Sequence, residues 1–121
     1  QRAQGELYVR VVEFFSKYDF LLAPAAIVPA FTHDKRYVEE VNGVKFDNYM
    51  SWLALPSMLT VTCCPVISIP CGFTKSGLPV GLQIMGPNAR EDRVLQAAYA
   101  FERDHDFAAR LPIDPRPPRN S

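Results

Sequence analysis

The stretch Pro65-Val66-Ile67-Ser68-Ile69-Pro70-Cys71-Gly72-Phe73, followed by Gly77-Leu78-Pro79-Val80-Gly81-Leu82-Gln83-Ile84-Met85-Gly86, decides the fold. Two apolar runs of β type flank a short polar turn. Val66 to Phe73 is too uniformly apolar for a half-exposed strand, and it is expected inside a sheet covered on both faces. Lys75-Ser76-Gly77 supplies the turn, with Gly77 the residue expected at positive φ, and Val80 to Met85 returns as a second strand.

On the N-terminal side, Leu7, Val11 and Phe14 recur at helical spacing with Tyr8 and Phe15 beside them, so Glu6 to about Tyr18 reads as an amphipathic helix ended by Asp19. Phe20-Leu21-Leu22-Ala23 is a short buried strand that stops at Pro24. Prolines, charges and Asn42-Gly43 mark 24–46 as a long loop or a small hairpin. Asp47 is placed to cap a helix from about Asn48 through Leu55 that Pro56 kinks or ends. On the C-terminal side, Asn88 with Glu91 three residues later imitates a capping box. Val94, Ala98 and Phe101, with Leu95, then give one apolar face to a helix from about Ala89 to Arg103. Pro112, Pro115, Pro117 and Pro118 prevent regular structure in 111–121, which reads as an extended or disordered tail.

The chain has 121 residues, enough for one domain with a core but short for an enzyme built on a large sheet, and it opens at Gln1 almost directly into a helical pattern. It reads as a piece of a longer protein. Thirteen basic and thirteen acidic residues cancel, so no net field favours nucleic acid, an anionic membrane surface or an acidic substrate. No apolar run approaches the roughly 20 residues needed to span a bilayer, and the first residues lack the charge and the apolar segment of a signal peptide. Three cysteines clustered in one apolar region do not make a disulfide framework, and a cytoplasmic location is expected.

Ser16, Ser51, Ser57, Ser68, Ser76 and Ser121 are all isolated, and none lies between glycines on the tight turn that a nucleophilic serine needs beside its oxyanion donors. Ser68, between two isoleucines, reads as a small hydroxyl in a buried strand. Cys63-Cys64 and Cys71 lack zinc-ligand spacing and read as buried thiols. His33-Asp34 and His105-Asp106 read as solvated surface. No metal or organic cofactor is expected.

The order of these pieces resembles the C-terminal part of the amidase signature family. A helix leads into Tyr18-Asp19-Phe20-Leu21-Leu22-Ala23-Pro24-Ala25, similar to the family's strand ending at a Thr-Pro or Ala-Pro loop beside the active site. A helical stretch before Pro65, the two motif strands and a closing helix around Glu91 to Glu102 follow. The resemblance implies an α/β fold, the C-terminal part of a mixed sheet covered by helices, with residues 1–110 belonging to the amidase domain. It also implies hydrolysis of carbon–nitrogen bonds by a serine, a second serine on a cis peptide and a lysine, all of them upstream of this chain. On that reading no residue here is catalytic, the chain alone is inactive, and it contributes scaffold strands and part of an acyl-binding wall.

Met50, Leu53 and Ser57 fall at i, i+3 and i+7, one face of the helix near Pro56, which members of the family use to line the substrate pocket. Glutamine-using tRNA amidotransferase subunits place an acidic residue at the position of Leu53, and leucine cannot hold an ammonium group. The resemblance therefore implies a small neutral or apolar carboxamide as substrate, although Met50 and Leu53 read equally well as core. Two departures stand out, since Thr60 and Cys63 replace a common asparagine and glycine, and because the backbone there must be one that cysteine can adopt, the turn before the strand is expected to differ from the family's. The competing reading is a non-catalytic interaction module that keeps part of the amidase sheet. On the amidase-segment reading the isolated chain is expected to self-associate as a homo-oligomer or to need its missing N-terminal portion, because few other strands flank the two apolar runs, whereas a well-folded monomer would favour the module.

Overall fold

The structure, a computed structural model, describes residues 2–105; the proline-rich segment and Asp106 lie outside the described residues. The described elements are helix α1 (Arg2–Phe15), strands β1 (Leu21–Pro24), β2 (Glu40–Val41) and β3 (Val44–Lys45), helices α2 (Tyr49–Trp52) and α3 (Ala54–Met58), a 3-10 turn (Leu59–Thr62), strands β4 (Val66–Phe73) and β5 (Pro79–Met85), and helix α4 (Glu91–His105). The architecture is a mixed α/β one.

The main sheet is antiparallel with strand order β1-β5-β4. Leu21 and Val66 both pair with Met85, from opposite sides of β5. The central strand is therefore β5, and β4 is an edge among the described residues. This corrects the expectation that Val66 to Phe73 lies inside the sheet with both faces covered. The physical signal was Pro70, because proline removes a ladder donor and is confined to edges and bulges. A register shift falls between Pro70 and Gly72, which adopts φ +148°. Pro24, at the end of β1, marks the other edge in the same way.

One face of the sheet carries the core. Ile69, Ile84 and Ala98 form the buried cluster, with Ile67, Leu82 and Phe101 packed on it. Because Ile67 pairs with Ile84 and Ile69 with Leu82, alternation places all four on the face that α4 covers. The opposite face presents Gln83 and Met85, of which Met85 is only 1% exposed. The Thr62 hydroxyl lies 3.9 Å from the Met85 sulfur and caps that end. Ser68 is on this second face and is exposed, not buried as expected.

Helix α4 runs to His105, with Glu91 and Asp92 in its first turn and Arg103 and His105 in its last, the arrangement that suits the helix dipole. Val94 and Ala98 are buried, but Leu95 is 60% exposed and does not belong to the apolar face. Asn88 does not form a capping box with Glu91. Ala89 takes a left-handed conformation, φ 55°, and the Asn88 amide instead donates to the Cys63 carbonyl at 3.1 Å. The Arg93 guanidinium meets the Asp19 carboxylate at 2.9 Å, joining the helix to the entry of β1.

Two turns follow the expected chemistry, and a third does not. Gly77 has φ +85°, and Thr74 closes the loop twice: its amide donates to the Leu78 carbonyl at 2.9 Å, and its hydroxyl oxygen accepts the Leu78 amide at 3.0 Å. Asn42 and Gly43, with φ 50° and 79°, turn β2 into β3, so the 24–46 segment contains a small hairpin. Cys63 has φ 58° at the end of the 3-10 turn, so cysteine takes a left-handed, glycine-like conformation there where a different backbone was expected. Helix α1 spans Arg2–Phe15 rather than 6–18. No residue of it is fully buried, and its Tyr8, Val9 and Val12 are exposed.

Candidate functional site

The segment after Trp52 does not continue as one helix. The Asn48 side chain, not Asp47, caps α2 by accepting the Ser51 amide at 3.0 Å. The chain then breaks at Leu53, with φ −81° and ψ 1°, before α3 begins. Pro56 explains the break, since it offers no amide to the Trp52 carbonyl and its ring would clash there. In the first turn of α3 the missing amide costs nothing.

The break determines where the expected wall residues sit. Met50 is on α2 and 70% exposed, Leu53 is half-buried at the junction, and Ser57 is exposed on α3. The Ser57 amide donates to the Leu53 carbonyl at 3.2 Å, so these two remain adjacent across the junction. Met50 lies in the shorter helix before it.

Sequence reasoning missed an aromatic cluster against α2. Trp52 meets Phe31 edge-to-face at 5.6 Å and Tyr49 at 6.0 Å, Tyr49 meets Tyr37 at 6.1 Å, and the Arg36 guanidinium lies 5.7 Å from the Tyr49 ring centre. The long loop is thereby anchored to the helix that carries Met50. Trp52 Nε1 is buried with no hydrogen-bond partner among the described residues. Phe31 and Tyr37, large rings in the segment between β1 and α2, were the available signal.

A second feature is an open apolar groove of about 500 Å³ where β1 ends against β5. Pro24, Ile27, Val28, Cys71, Val80 and Leu82 contribute to its lining, whereas Met50, Leu53 and Ser57 do not. Two hydrogen bonds shape it. The Ala25 amide donates to the Gly81 carbonyl at 2.9 Å, and Gln83, only 6% exposed, donates from Nε2 to the Pro24 carbonyl at 3.0 Å. The bulge turns Cys71 toward this groove. An apolar lining with few polar groups binds a neutral organic group and performs no proton transfer by itself.

Hydrolytic machinery is not assembled among the described residues. Ser16 donates to the Glu13 carbonyl, Ser51 to the Asn48 side chain, and Ser76 shares a bond with Thr74. None of these partners is a base for a nucleophile. His33 is exposed, and its neighbour Asp34 has its carboxyl held below the usual range chiefly by the Thr32 hydroxyl. His105 stacks on Phe101 at 4.1 Å, with Nδ1 2.9 Å from the Phe101 carbonyl oxygen. No group of three or more His, Cys, Asp or Glu side chains among the described residues is placed to hold a metal ion.

The cysteines depart from the expected buried thiols. Cys63 is exposed, and Cys64 and Cys71 are half-buried. A left-handed turn points one outward, and a bulge at a groove holds another. No described helix is long and apolar enough to cross a membrane.

Comparison with known proteins places this arrangement. A family model described as Amidase matches residues 1–95. A glutamyl-tRNA(Gln) amidotransferase subunit of Myxococcus xanthus is 43% identical over 96 residues, which cover 79% of this chain and 18% of that protein. Its counterpart in Synechococcus sp. is 39% identical over 101 residues, 84% of this chain and 20% of that protein. A bacterial aryl acylamidase of the amidase signature family superposes with a TM-score of 0.72 at 25% identity, covering 88% of this chain and 22% of that chain. The chain thus spans about a fifth of the length of the relatives it matches. With the family model covering most of the sequence and the fold superposing on a solved amidase signature enzyme, the chain belongs to the amidase family.

Proposed function

We propose that this chain is the C-terminal segment of an amidase that hydrolyses small neutral or apolar carboxamides, with residues 1–110 inside the amidase domain. The observation that carries the reading is a half-buried leucine, Leu53, at the junction directly after Trp52 of the Phe31–Trp52–Tyr49 aromatic cluster. Such a wall accepts an apolar acyl or aryl group, and Leu53 itself offers no carboxylate to an ammonium. Met50, Leu53 and Ser57 are its proposed substrate contacts.

The serine, cis-serine and lysine that would carry the reaction lie outside this chain. The serine attacks the amide carbonyl, the second serine and the lysine pass its proton to the departing amine, and water releases the acyl group. This segment would hold the acyl portion and keep the sheet rigid, without metal or organic cofactor. The relatives named as amidotransferases suggest transfer chemistry as an alternative, and Leu53 argues against the amino-acid substrate that chemistry would need.

The test is specificity in the complete protein. Leu53→Glu is expected to lower kcat/KM for aryl and aliphatic amides about 10- to 200-fold, the range for a mismatched pocket group. An unchanged ratio among substrates would remove Leu53 from the wall. The competing reading, a non-catalytic interaction module, draws on the exposed Tyr8, Val9 and Val12 of α1. It predicts no turnover by the complete protein on any amide.

A further inference from the structure

The turn before β4 places two thiols in succession on the surface, Cys63 exposed and Cys64 half-buried, and gives them a rigid backbone. The Cys63 amide donates to the Thr60 carbonyl at 3.3 Å, its carbonyl accepts the Asn88 side chain at 3.1 Å, and the Cys64 amide donates to the Thr62 hydroxyl at 3.3 Å. Bonds from two separate segments thus fix both Cα positions. The sulfur itself is loosely engaged. Gln4 Nε2 stands 3.8 Å and the Val61 carbonyl 4.0 Å from Cys63 Sγ, weak contacts that a ligand can displace.

We propose that Cys63 and Cys64 form a vicinal dithiol that captures one trivalent arsenical in a two-sulfur chelate. Three alternatives for such a pair are weaker. Zinc needs four ligands, and no third His, Cys, Asp or Glu among the described residues joins the pair. A direct disulfide would have to close across consecutive Cα atoms roughly 3.8 Å apart, shorter than the roughly 4.4 Å at which unstrained bridges begin. A single thiol adduct uses only one of the two sulfurs. An arsenic atom between the sulfurs lengthens the bridge and relieves the closure strain. Burial raises the Cys64 thiol above its usual pKa, so this sulfur stays protonated at neutral pH.

The reaction with an arsenoxide balances without an oxidant. Each thiol gives up its proton, the two protons leave with the arsenoxide oxygen as water, and two sulfur–arsenic bonds form. No electrons are transferred. Cys71, alone in the bulge, has no neighbouring cysteine in the sequence with which to close such a ring.

Phenylarsine oxide is the probe, added to the complete protein and followed by intact mass. The expected result is one arsenic at this pair that survives excess glutathione, a monothiol, and is removed by 2,3-dimercaptopropanol. Cys63→Gly and Cys64→Ser should each reduce the glutathione-resistant adduct at this pair to background, and Cys71→Ser should leave it intact. Glycine suits the left-handed backbone of residue 63, so that variant is expected to keep the parent's circular dichroism and thermal midpoint. An adduct that glutathione strips, no adduct at all, or one that persists in a folded Cys63→Gly protein would overturn the proposal.

Discussion

Gly81 and Ala25 are packed with no room for a further carbon: a Cβ at residue 81 would stand 2.8 Å from the Ala25 Cβ, while the Gly81 carbonyl accepts the Ala25 amide at 2.9 Å. The loop after β1 is therefore laid directly on the central strand, and the apolar groove exists because it is. Gly81→Ala must push that loop away. The expected cost is about 1–3 kcal/mol, the range for overpacking a filled site. Denaturant unfolding of the complete protein checks it, and an unchanged midpoint would show that the loop is not held there.

Gln83 supports the same loop from beneath. Its side chain is nearly inaccessible and gives its amide hydrogen to the Pro24 carbonyl. Gln83→Leu keeps the volume and removes the donor, so a loss of about 1 kcal/mol is expected. Equal or greater stability would mean that the polar contact contributes nothing there.

A pH effect follows from the first turn of α4. The Arg90 guanidinium makes paired bonds of 2.9 Å to both oxygens of Asp92 and holds its carboxyl down to about 2. A folded value below the unfolded one means that this pair stabilises above the ordinary carboxylate range, and that the effect is lost as pH falls toward about 2. Both side chains are about half-exposed, so salt should weaken the effect. Titration of the Asp92 carboxyl by NMR should show the low value, and Arg90→Gln should move it upward. An ordinary value in the parent protein would contradict the pairing.

What the sequence made legible depended on whether a residue's partner was near in the chain. Gly77 in its turn, Asn42-Gly43 in the hairpin and the Val94–Ala98 stripe of α4 are local and could be read directly. The edge position of β4 was signalled by Pro70, but the apolar run around it argued the other way. The Met50, Leu53 and Ser57 face assumed one continuous helix, whereas Pro56 divides it at Leu53. The Phe31–Trp52 contact and the Asn88–Cys63 bond join residues 21 and 25 positions apart, and no periodicity reports such pairings. The replacement of a glycine at Cys63 was visible, but neither its left-handed backbone nor its exposure was.

The exposed apolar surface has a consequence in solution. Tyr8, Val9 and Val12 on α1 and Leu22 on β1 are exposed, and β1 and β4 are both edges of a three-stranded sheet among the described residues. Unpaired edges beside apolar surface promote association. Sedimentation of this chain alone over a range of concentrations should therefore show self-association. A monomer at every concentration with cooperative thermal unfolding would contradict it.

The proposed division of labour, with catalysis outside this chain, is tested most directly by measuring amine and ammonia release from aliphatic and aromatic carboxamides. The chain alone and the complete protein are assayed side by side. The account predicts background release from the chain, whose described serines have no base beside them, and turnover by the complete protein that survives Ser68→Ala. Turnover by the chain alone that Ser68→Ala abolishes would contradict it.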